Sequence, residues 1–546
     1  MTGFSQNLSL GRPIFELVVE REWHTETLRR EVPMKSVVSR MLGIGLAMAI
    51  PLSTTIEAAA TPLQNQAPFI VESSDTHQMQ IINSGVAGLE LRLQMIERAK
   101  KYINVEYFIY NTDRAGRIFT QALINKKRRN PEVQIRILVD GSQIILQLTN
   151  DYIAELAKLG IEVRYYNMQP LVKIVSAQYR DHRKLLDIDG EESITGSRNI
   201  ADEYFDLNPQ FNFTDRDIWV KGPIAKSMSQ SFDAYWNDKN TTPVKLSEPA
   251  ARPVLVDFAQ SENANDLYEK ALANYNTHQQ ELKQFFSLSR EDQSVIAQIH
   301  QVGQSRLSEA SSKGTCDRVS YVTDSPGFDP GLNKFGPKRH VGRFILEKIG
   351  AIPDGGQLIV ESPYFIVRDE GAIKALTSLR PRNITATLLT NSLNSTDAFY
   401  VAGNFLPRSA FYAQVTNGTL YVYSGQRPQN ADMIVDQSGH ALASDATWGI
   451  HAKTFIFSDS SFAVGTFNVD PRSMNLNSEM LVACEGNSTL TKNITDSIDG
   501  RIQQSRLLKY GKMSDQRSQI EENASLLKRI EFILSIAPAT IFDFLM

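Results

Sequence analysis

Cysteine is almost missing from this chain, with Cys316 and Cys484 the two examples in 546 residues. That scarcity excludes a disulfide framework and a thiolate zinc cluster, and leaves open whether the pair forms one bridge or two unrelated buried thiols. A strong charge of either sign is missing too. The formal net charge of −4 exerts no long-range pull on nucleic acid, although it leaves room for a local basic cleft. A bilayer-spanning run is the third absence, since the apolar stretch from Met41 to about Leu52 falls short of the ~20 residues a membrane-crossing helix needs.

What remains is an ordinary globular composition, 42% apolar and 22% charged, in a chain too long for one core. Two domains or two large lobes follow. From Met34 the chain carries Lys35 and Arg40, then the apolar stretch, then the small residues Ala58 and Ala60. That order is the pattern of a secretory signal peptide cleaved after Ala60, which predicts an exported, periplasmic or secreted protein, peripherally associated with a membrane; the cytoplasmic membrane is the alternative. The residues ahead of Met34 make the leader long, so either Met34 is the true start or this stretch is a short buried helix.

Beyond a polar linker at 61–80, apolar spacing near 3.6 alternates with strand-like runs. "GVAGLELRLQMIERA" reads as a helix, "INVEYFIY" as a strand, "GRIFTQALINKKRR" as a helix, "VQIRILVD" as a buried strand, "DYIAELAKLG" as a helix and "IEVRYYN" as a strand. The same order returns from about residue 355, with "LIVESPYF", "GAIKAL", "ITATLLTN" and "GTLYVYS" standing in the corresponding places. The chain therefore divides into a leader (1–60), the linker (61–80), a first lobe (81–248), a helical connector (249–337), a second lobe (338–500) and a C-terminal helical segment (501–546). The connector is assigned no chemistry. The C-terminal segment, amphipathic to apolar, reads as a helix docked on the body or as a membrane-surface contact.

The chemistry-bearing residues are duplicated with the lobes. "DHRKLLDIDGEESITGSRN" places His182 and Lys184 two apart, then Gly196, Ser197 and Asn199; "HAKTFIFSDSSFAVGTFN" places His451 and Lys453 two apart, then Gly465, Thr466 and Asn468. In an extended chain, side chains two apart leave one face, so each set can point into one site. Paired imidazoles suit phosphodiester cleavage. One attacks in line and becomes phosphorylated, while the other protonates the departing alkoxide and later takes a proton from the acceptor. Lysine and asparagine would hold the non-bridging oxygens, with Ser197 and Thr466 adding hydroxyl donors to the phosphate. This chemistry calls for no cofactor and no metal. The isolated histidines His24, His77, His278, His300, His340 and His440 read as structural or solvent-facing.

The twin H-x-K-x-x-x-x-D and G-S-x-N pattern resembles the phospholipase D superfamily. The flanks "GSRNIADEYFD", "LLTNSLNSTDAFYV" and "GTFNVDPRSMNLNSE" are most similar to its bacterial cardiolipin synthase and phospholipase D branch, especially type C cardiolipin synthases. The resemblance covers about residue 84 to the C-terminus. It implies an α/β fold of two duplicated phospholipase D-like lobes, each a mixed β-sheet flanked by helices, packed with pseudo-two-fold symmetry around one active site. It also implies a covalent phosphatidyl-enzyme intermediate and no cofactor.

One departure is visible: Asp189 follows His182 by seven residues, whereas Ser458 holds that place after His451 and Asp459 comes one residue later. Both "DIDG" and "SDSS" read as turns, so a structural role is expected at Asp189. Each imidazole also needs a carboxylate to orient it. Glu479 is the candidate for His451, and Asp215 or Asp217 for His182, with the resemblance favouring Asp215. Arg472 and Ser473 read either as a second phosphate or head-group site or as a helix start.

The expected activity is phospholipase D-type hydrolysis of a glycerophospholipid at a membrane surface, with water as acceptor and phosphatidic acid as product. The alternative is a cardiolipin synthase, which passes the phosphatidyl group to an alcohol on another lipid. A superfamily nuclease and a non-catalytic lipid-binding protein rank below these; no nucleic-acid partner is expected.

Overall fold

The computed structural model describes residues 70–142, 150–168, 178–243, 276–277, 280–327, 339–415, 419–429, 431–508 and 513–541. The leader, its signal-peptide pattern and much of the expected helical connector lie outside the described residues.

Two nine-stranded mixed sheets form, and their strands correspond one to one. Edge to edge, the first runs Lys313–Gly314, Gln78–Ile82, Asp217–Lys221, Glu192–Gly196, Leu185–Ile188, Tyr102–Tyr107, Gln134–Asp140, Ile161–Tyr166 and Thr241–Pro243. The second runs Ile70–Ser73, Arg318–Thr323, Met480–Glu485, Ser461–Gly465, Thr454–Ser458, Gln357–Glu361, Thr385–Asn391, Leu420–Tyr423 and Ser505–Leu507. In each sheet three strands pair in parallel, Tyr102–Tyr107 with Gln134–Asp140 and Ile161–Tyr166, and Gln357–Glu361 with Thr385–Asn391 and Leu420–Tyr423. The run "IRILVD" is largely apolar because parallel strands are covered on both faces. Helices Gly85–Arg98, Arg114–Arg129 and Glu370–Leu379 start at Ser84, Asp113 and Asp369, whose side chains accept a hydrogen bond from the backbone of the first turn.

The edges revise the expected boundaries. Ile70–Ser73, inside the expected linker, crosses to pair with Arg318–Thr323 of the second sheet, while Lys313–Gly314 crosses back to Gln78–Ile82 of the first. Arg318–Thr323, inside the expected connector, is a strand of the second sheet, so that lobe begins well before residue 338. Ser505–Leu507, in the expected C-terminal helical segment, closes the opposite edge of the same sheet. The edge strands among these, of two to four residues, carry too little periodicity to announce themselves in sequence.

Each lobe has its own apolar core, and a third cluster joins them. It packs Met79, Ile81 and Val220 of the first sheet with Val319 and Val482 of the second and with Trp448 of the second lobe. Burial of this kind stabilises by roughly 25 cal/mol per Å² of apolar surface, which makes the lobes one body. Arg216 adds a buried ion pair across the same boundary, donating to Glu361 at 2.6 Å and to the Thr454 hydroxyl at 2.6 Å. Cys316, just after the crossing edge strand, is disulfide-bonded to Cys484 of the second sheet, with Cα atoms 5.6 Å apart.

Candidate active site

Both motifs sit at the open end of a β-hairpin. His182 and Lys184 precede strand Leu185–Ile188, and Ser197 and Asn199 follow strand Glu192–Gly196; His451, Lys453, Thr466 and Asn468 repeat this around Thr454–Ser458 and Ser461–Gly465. Gly196 and Gly465 are required by close approach. A Cβ at Gly196 would lie 2.5 Å from the Arg216 carbonyl oxygen, and one at Gly465 would lie 2.3 Å from that of Met480. At the far end of the first hairpin, Asp189 and Gly190 both adopt left-handed backbone, and the Asp189 carboxylate accepts from the amides of Lys100, Lys101 and Tyr102. A bulge between Ile456 and Ser458 adds a residue to the first strand of the second hairpin and shortens its turn, so Asp459 opens that turn and accepts from Gln357 at the start of the corresponding neighbouring strand. That bulge accounts for the one-residue offset between the copies.

The loops carrying the histidines dock across the lobe boundary. His182 N–H donates to the Ser478 carbonyl at 3.0 Å, and Ser478 N–H donates to that of Arg180 at 2.8 Å. Reciprocally, strand Thr447–Ile450 pairs in parallel with Phe211–Thr214, and His451 N–H donates to the Thr214 carbonyl at 3.0 Å. Ser478 and Thr214 each precede an acidic residue, so docking delivers a carboxylate to the opposite lobe's imidazole. His182 Nδ1 lies 2.9 Å from Glu479, and His451 Nδ1 lies 2.9 Å from Asp215. The partners are therefore exchanged relative to the sequence expectation, which had matched Glu479 with His451 and Asp215 with His182. Asp217, the other carboxylate considered, is paired with Arg92 at 2.9 Å and Arg198 at 3.1 Å.

The hydroxyls also differ from expectation. Ser197 Oγ donates to the Arg216 carbonyl at 3.1 Å and accepts from its amide at 3.0 Å, so its capacity is spent on a strand end rather than aimed at a phosphate. Thr466 Oγ1 donates to Glu479 at 2.5 Å and accepts from Met480 N–H at 2.9 Å. Both are fully buried, where a backbone group left unpaired would cost more than a ligand contact returns. Asn199 Oδ1 accepts from Ile109 N–H at 3.2 Å, whereas Asn468 Oδ1 is buried and makes no hydrogen bond. Ser473 holds Glu479 at 2.7 Å from within a short helix capped by Asp470, and Arg472 donates to the side chain and backbone of Gln178.

Sequence reasoning missed Asp324, which accepts from the Glu479 amide at 2.9 Å, and three rings. Phe108 stands edge-on to His182 at 5.2 Å, and Tyr204 and Phe213 lie 5.2 and 4.9 Å from His451. The aromatic residues in "EYFIY", "DEYFD" and "FNFT" offered a signal, but one shared with any apolar strand.

Electrostatically the site is a buried, cation-rich cluster. Lys184 and Lys453 are 1% exposed, each donating to the carbonyl of its own histidine, at 2.8 and 2.6 Å. Burial, aided for Lys184 by Lys453, brings their ammonium groups down to about 7 and about 8. Burial, then Lys184, Lys453 and Arg472, holds the His182 imidazole well below its usual value. Burial and Lys453 bring His451 to about 4 despite Asp215. Glu479 is pushed up by burial to about 7, while Asp215, also penalised by burial, is held below the ordinary carboxylate range by His451. The ordinary titration of an imidazole near neutrality is thus displaced by desolvation and two neighbouring ammonium charges. These influences cross the lobe boundary in both directions, which places both motifs in one site. An anionic ligand would offset them.

A separate cavity of about 240 Å³ at the lobe boundary is lined by Ile82, Asn83, Asp206, Phe213 and Trp448 among others and contains neither imidazole.

With this geometry in hand, the likeness to known proteins is specific. The profile of the family described as cardiolipin synthase, PLD-like domain, matches residues 93–236 and 355–502, one match per lobe. Cardiolipin synthase C of Escherichia coli (strain K12) is 25% identical over 476 residues, covering 83% of this chain and 89% of that protein. A cardiolipin synthase of Oceanobacillus iheyensis is 32% identical over 173 residues, 31% of this chain and 35% of that protein. Among solved structures, phosphatidylserine synthase of Haemophilus influenzae Rd KW20 aligns with a TM-score of 0.56 over 86% of this chain and 95% of its own at 14% identity, a likeness of fold.

Proposed function

The chain belongs to the cardiolipin synthase, PLD-like domain family and is a phospholipid-modifying enzyme of that type, and on that premise we propose that it is a cardiolipin synthase. It transfers a phosphatidyl group from one glycerophospholipid to an alcohol on another. This reverses the order set by sequence, which placed hydrolysis to phosphatidic acid first. The similarity to a cardiolipin synthase over 83% of this chain and 89% of that protein supports the reversal. The observation that carries the chemistry is the crossed pair of imidazole–carboxylate contacts at 2.9 Å, one from each lobe to the other.

In the proposed sequence His182 is the nucleophile. Its pKa is strongly suppressed, which keeps the ring neutral and Nε2 available while Nδ1 is held by Glu479. His451 is the acid and base, since ionised Asp215 beside it stabilises an imidazolium once substrate charge offsets Lys184 and Lys453. Nε2 of His182 attacks phosphorus and a P–N bond forms. The P–O bond to the donor head group breaks, and His451 protonates the departing alkoxide. The acceptor hydroxyl then attacks, giving its proton to His451, and the P–N bond breaks to restore His182. Lys184, Lys453 and Asn468 would hold the non-bridging oxygens.

We further propose that the protein works in an exported, oxidising setting. The basic–apolar–small pattern after Met34 and the Cys316–Cys484 disulfide support this, because such bonds persist outside reducing compartments.

The test incubates purified protein with labelled phosphatidylethanolamine, phosphatidylglycerol or phosphatidylcholine, with and without phosphatidylglycerol or glycerol as acceptor. Cardiolipin as the main labelled product is expected. Phosphatidic acid alone, whatever acceptor is supplied, would return the assignment to a hydrolase. His182→Ala and His451→Ala should each abolish turnover, and only the His451 variant should trap a phosphorylated imidazole.

A further inference from the structure

The C-terminal helix Leu526–Ile541 packs one side of its first half, Leu526–Leu534, on the body and leaves the other side exposed. Phe532 is fully buried in the second-lobe core, whereas Leu526, Leu527, Ile530, Ile533 and Leu534 are 46–75% exposed. Their spacing of one, four, seven and eight residues from Leu526 places them along a single stripe. Arg529 borders the stripe and is exposed as well.

This stripe is tied to the catalytic loops. Lys528, on the buried side, donates to the carbonyls of Asn394 at 2.6 Å and Thr396 at 3.1 Å. The loop containing them follows strand Thr385–Asn391, and Asn391 bonds both the amide and the carbonyl of Ile450, the residue before His451. Lys528 also lies over Phe211, which stacks edge-on against Phe213 beside His451.

We propose that the exposed face of Leu526–Leu534 is the surface on which the enzyme docks to a phospholipid bilayer, holding the site at the plane where acyl chains remain anchored. This rests on the phospholipid-transfer reading above. Two arguments choose a bilayer over a second copy of the chain. Nine helical residues span roughly 12 Å, a footprint far below the ~800 Å² that each partner of a stable dimer contributes. An outward apolar stripe flanked by Arg529 on one side and half-buried Glu531 on the other also matches an amphipathic helix lying in the head-group interface.

The experiment measures flotation of the full chain with vesicles of phosphatidylglycerol and phosphatidylethanolamine, beside turnover of a monomeric short-chain phospholipid. Leu527→Glu combined with Leu534→Glu should reduce the vesicle-bound fraction at least tenfold and leave short-chain turnover within twofold. Ile530→Trp should raise binding, which guards against mistaking a misfolded variant for a loss of docking. Wild-type binding in the Glu variant would overturn the proposal. So would a wild-type dimer in sedimentation that the Glu variant dissolves. If no phospholipid is turned over by any form while the Glu variant still fails to float, the docking surface stands and the transferase reading falls.

Discussion

Replacing Lys184 by methionine should make the protein more stable and catalytically dead. Burial and Lys453 lower this ammonium from 10.5 to about 7, a shift that corresponds to roughly 5 kcal/mol of penalty for holding it charged at ~1.4 kcal/mol per pH unit. Against that stands the bond from Nζ to the His182 carbonyl at 2.8 Å, a charge-assisted hydrogen bond worth roughly 1.5–3 kcal/mol. Methionine fills the space without a charge, so the net gain at acidic to neutral pH is about 2–3 kcal/mol. The gain must also depend on pH. The folded-state pKa lies below the unfolded one, so the penalty is complete below about 7 and fades as pH rises toward 10.5, where the unfolded lysine also loses its proton. Urea unfolding at about pH 6.5 should show the variant ahead, and at about pH 9.5 the advantage should be gone. Equal or lower stability of Lys184→Met at the acidic point, or an advantage unchanged with pH, would refute the account of Lys184 as a strained charge.

The crossed carboxylates make a second prediction: Asp215→Asn and Glu479→Gln should each slow transfer by roughly 10²–10⁴-fold, and in imidazole NMR Glu479→Gln should move the His182 ring signals while sparing His451. Movement of His451 alone would restore pairing within a lobe. The alkaline limb of kcat/KM should fall as pH rises through about 7 to about 8, because Lys184 and Lys453 are charged below those values and neutral above them; a flat profile across that window would remove the lysines from phosphate binding. Cys316→Ser opens a link between residues 168 apart in sequence and should cost about 2–4 kcal/mol in denaturant unfolding, with turnover at low temperature retained.

How much of this was legible beforehand depended on whether the information was local. The i, i+2 relation of His182 to Lys184, the glycine ahead of Ser197 and the helix caps are properties of a few consecutive residues, and the duplication could be counted. The identity of each imidazole's partner was not local. Glu479 follows strand Ser461–Gly465 in the same lobe as His451, so sequence proximity suggested that pairing; docking of the Ser478 backbone against Arg180 and His182 decided otherwise. The roles of Ser197 and Thr466 were hidden for a related reason, since a hydroxyl's use depends on which backbone groups a neighbouring strand leaves unpaired. Crossed pairing has a consequence that neither motif could announce. A lobe on its own holds an imidazole without its carboxylate and a carboxylate without its imidazole, so the chemistry belongs to the boundary between lobes. The exchanged edge strands, the Arg216–Glu361 pair and the shared apolar cluster that hold this boundary shut therefore also set the orientation of both rings. A substitution loosening that boundary should disturb both rings together, whereas one at a single carboxylate leaves the other ring's contact in place.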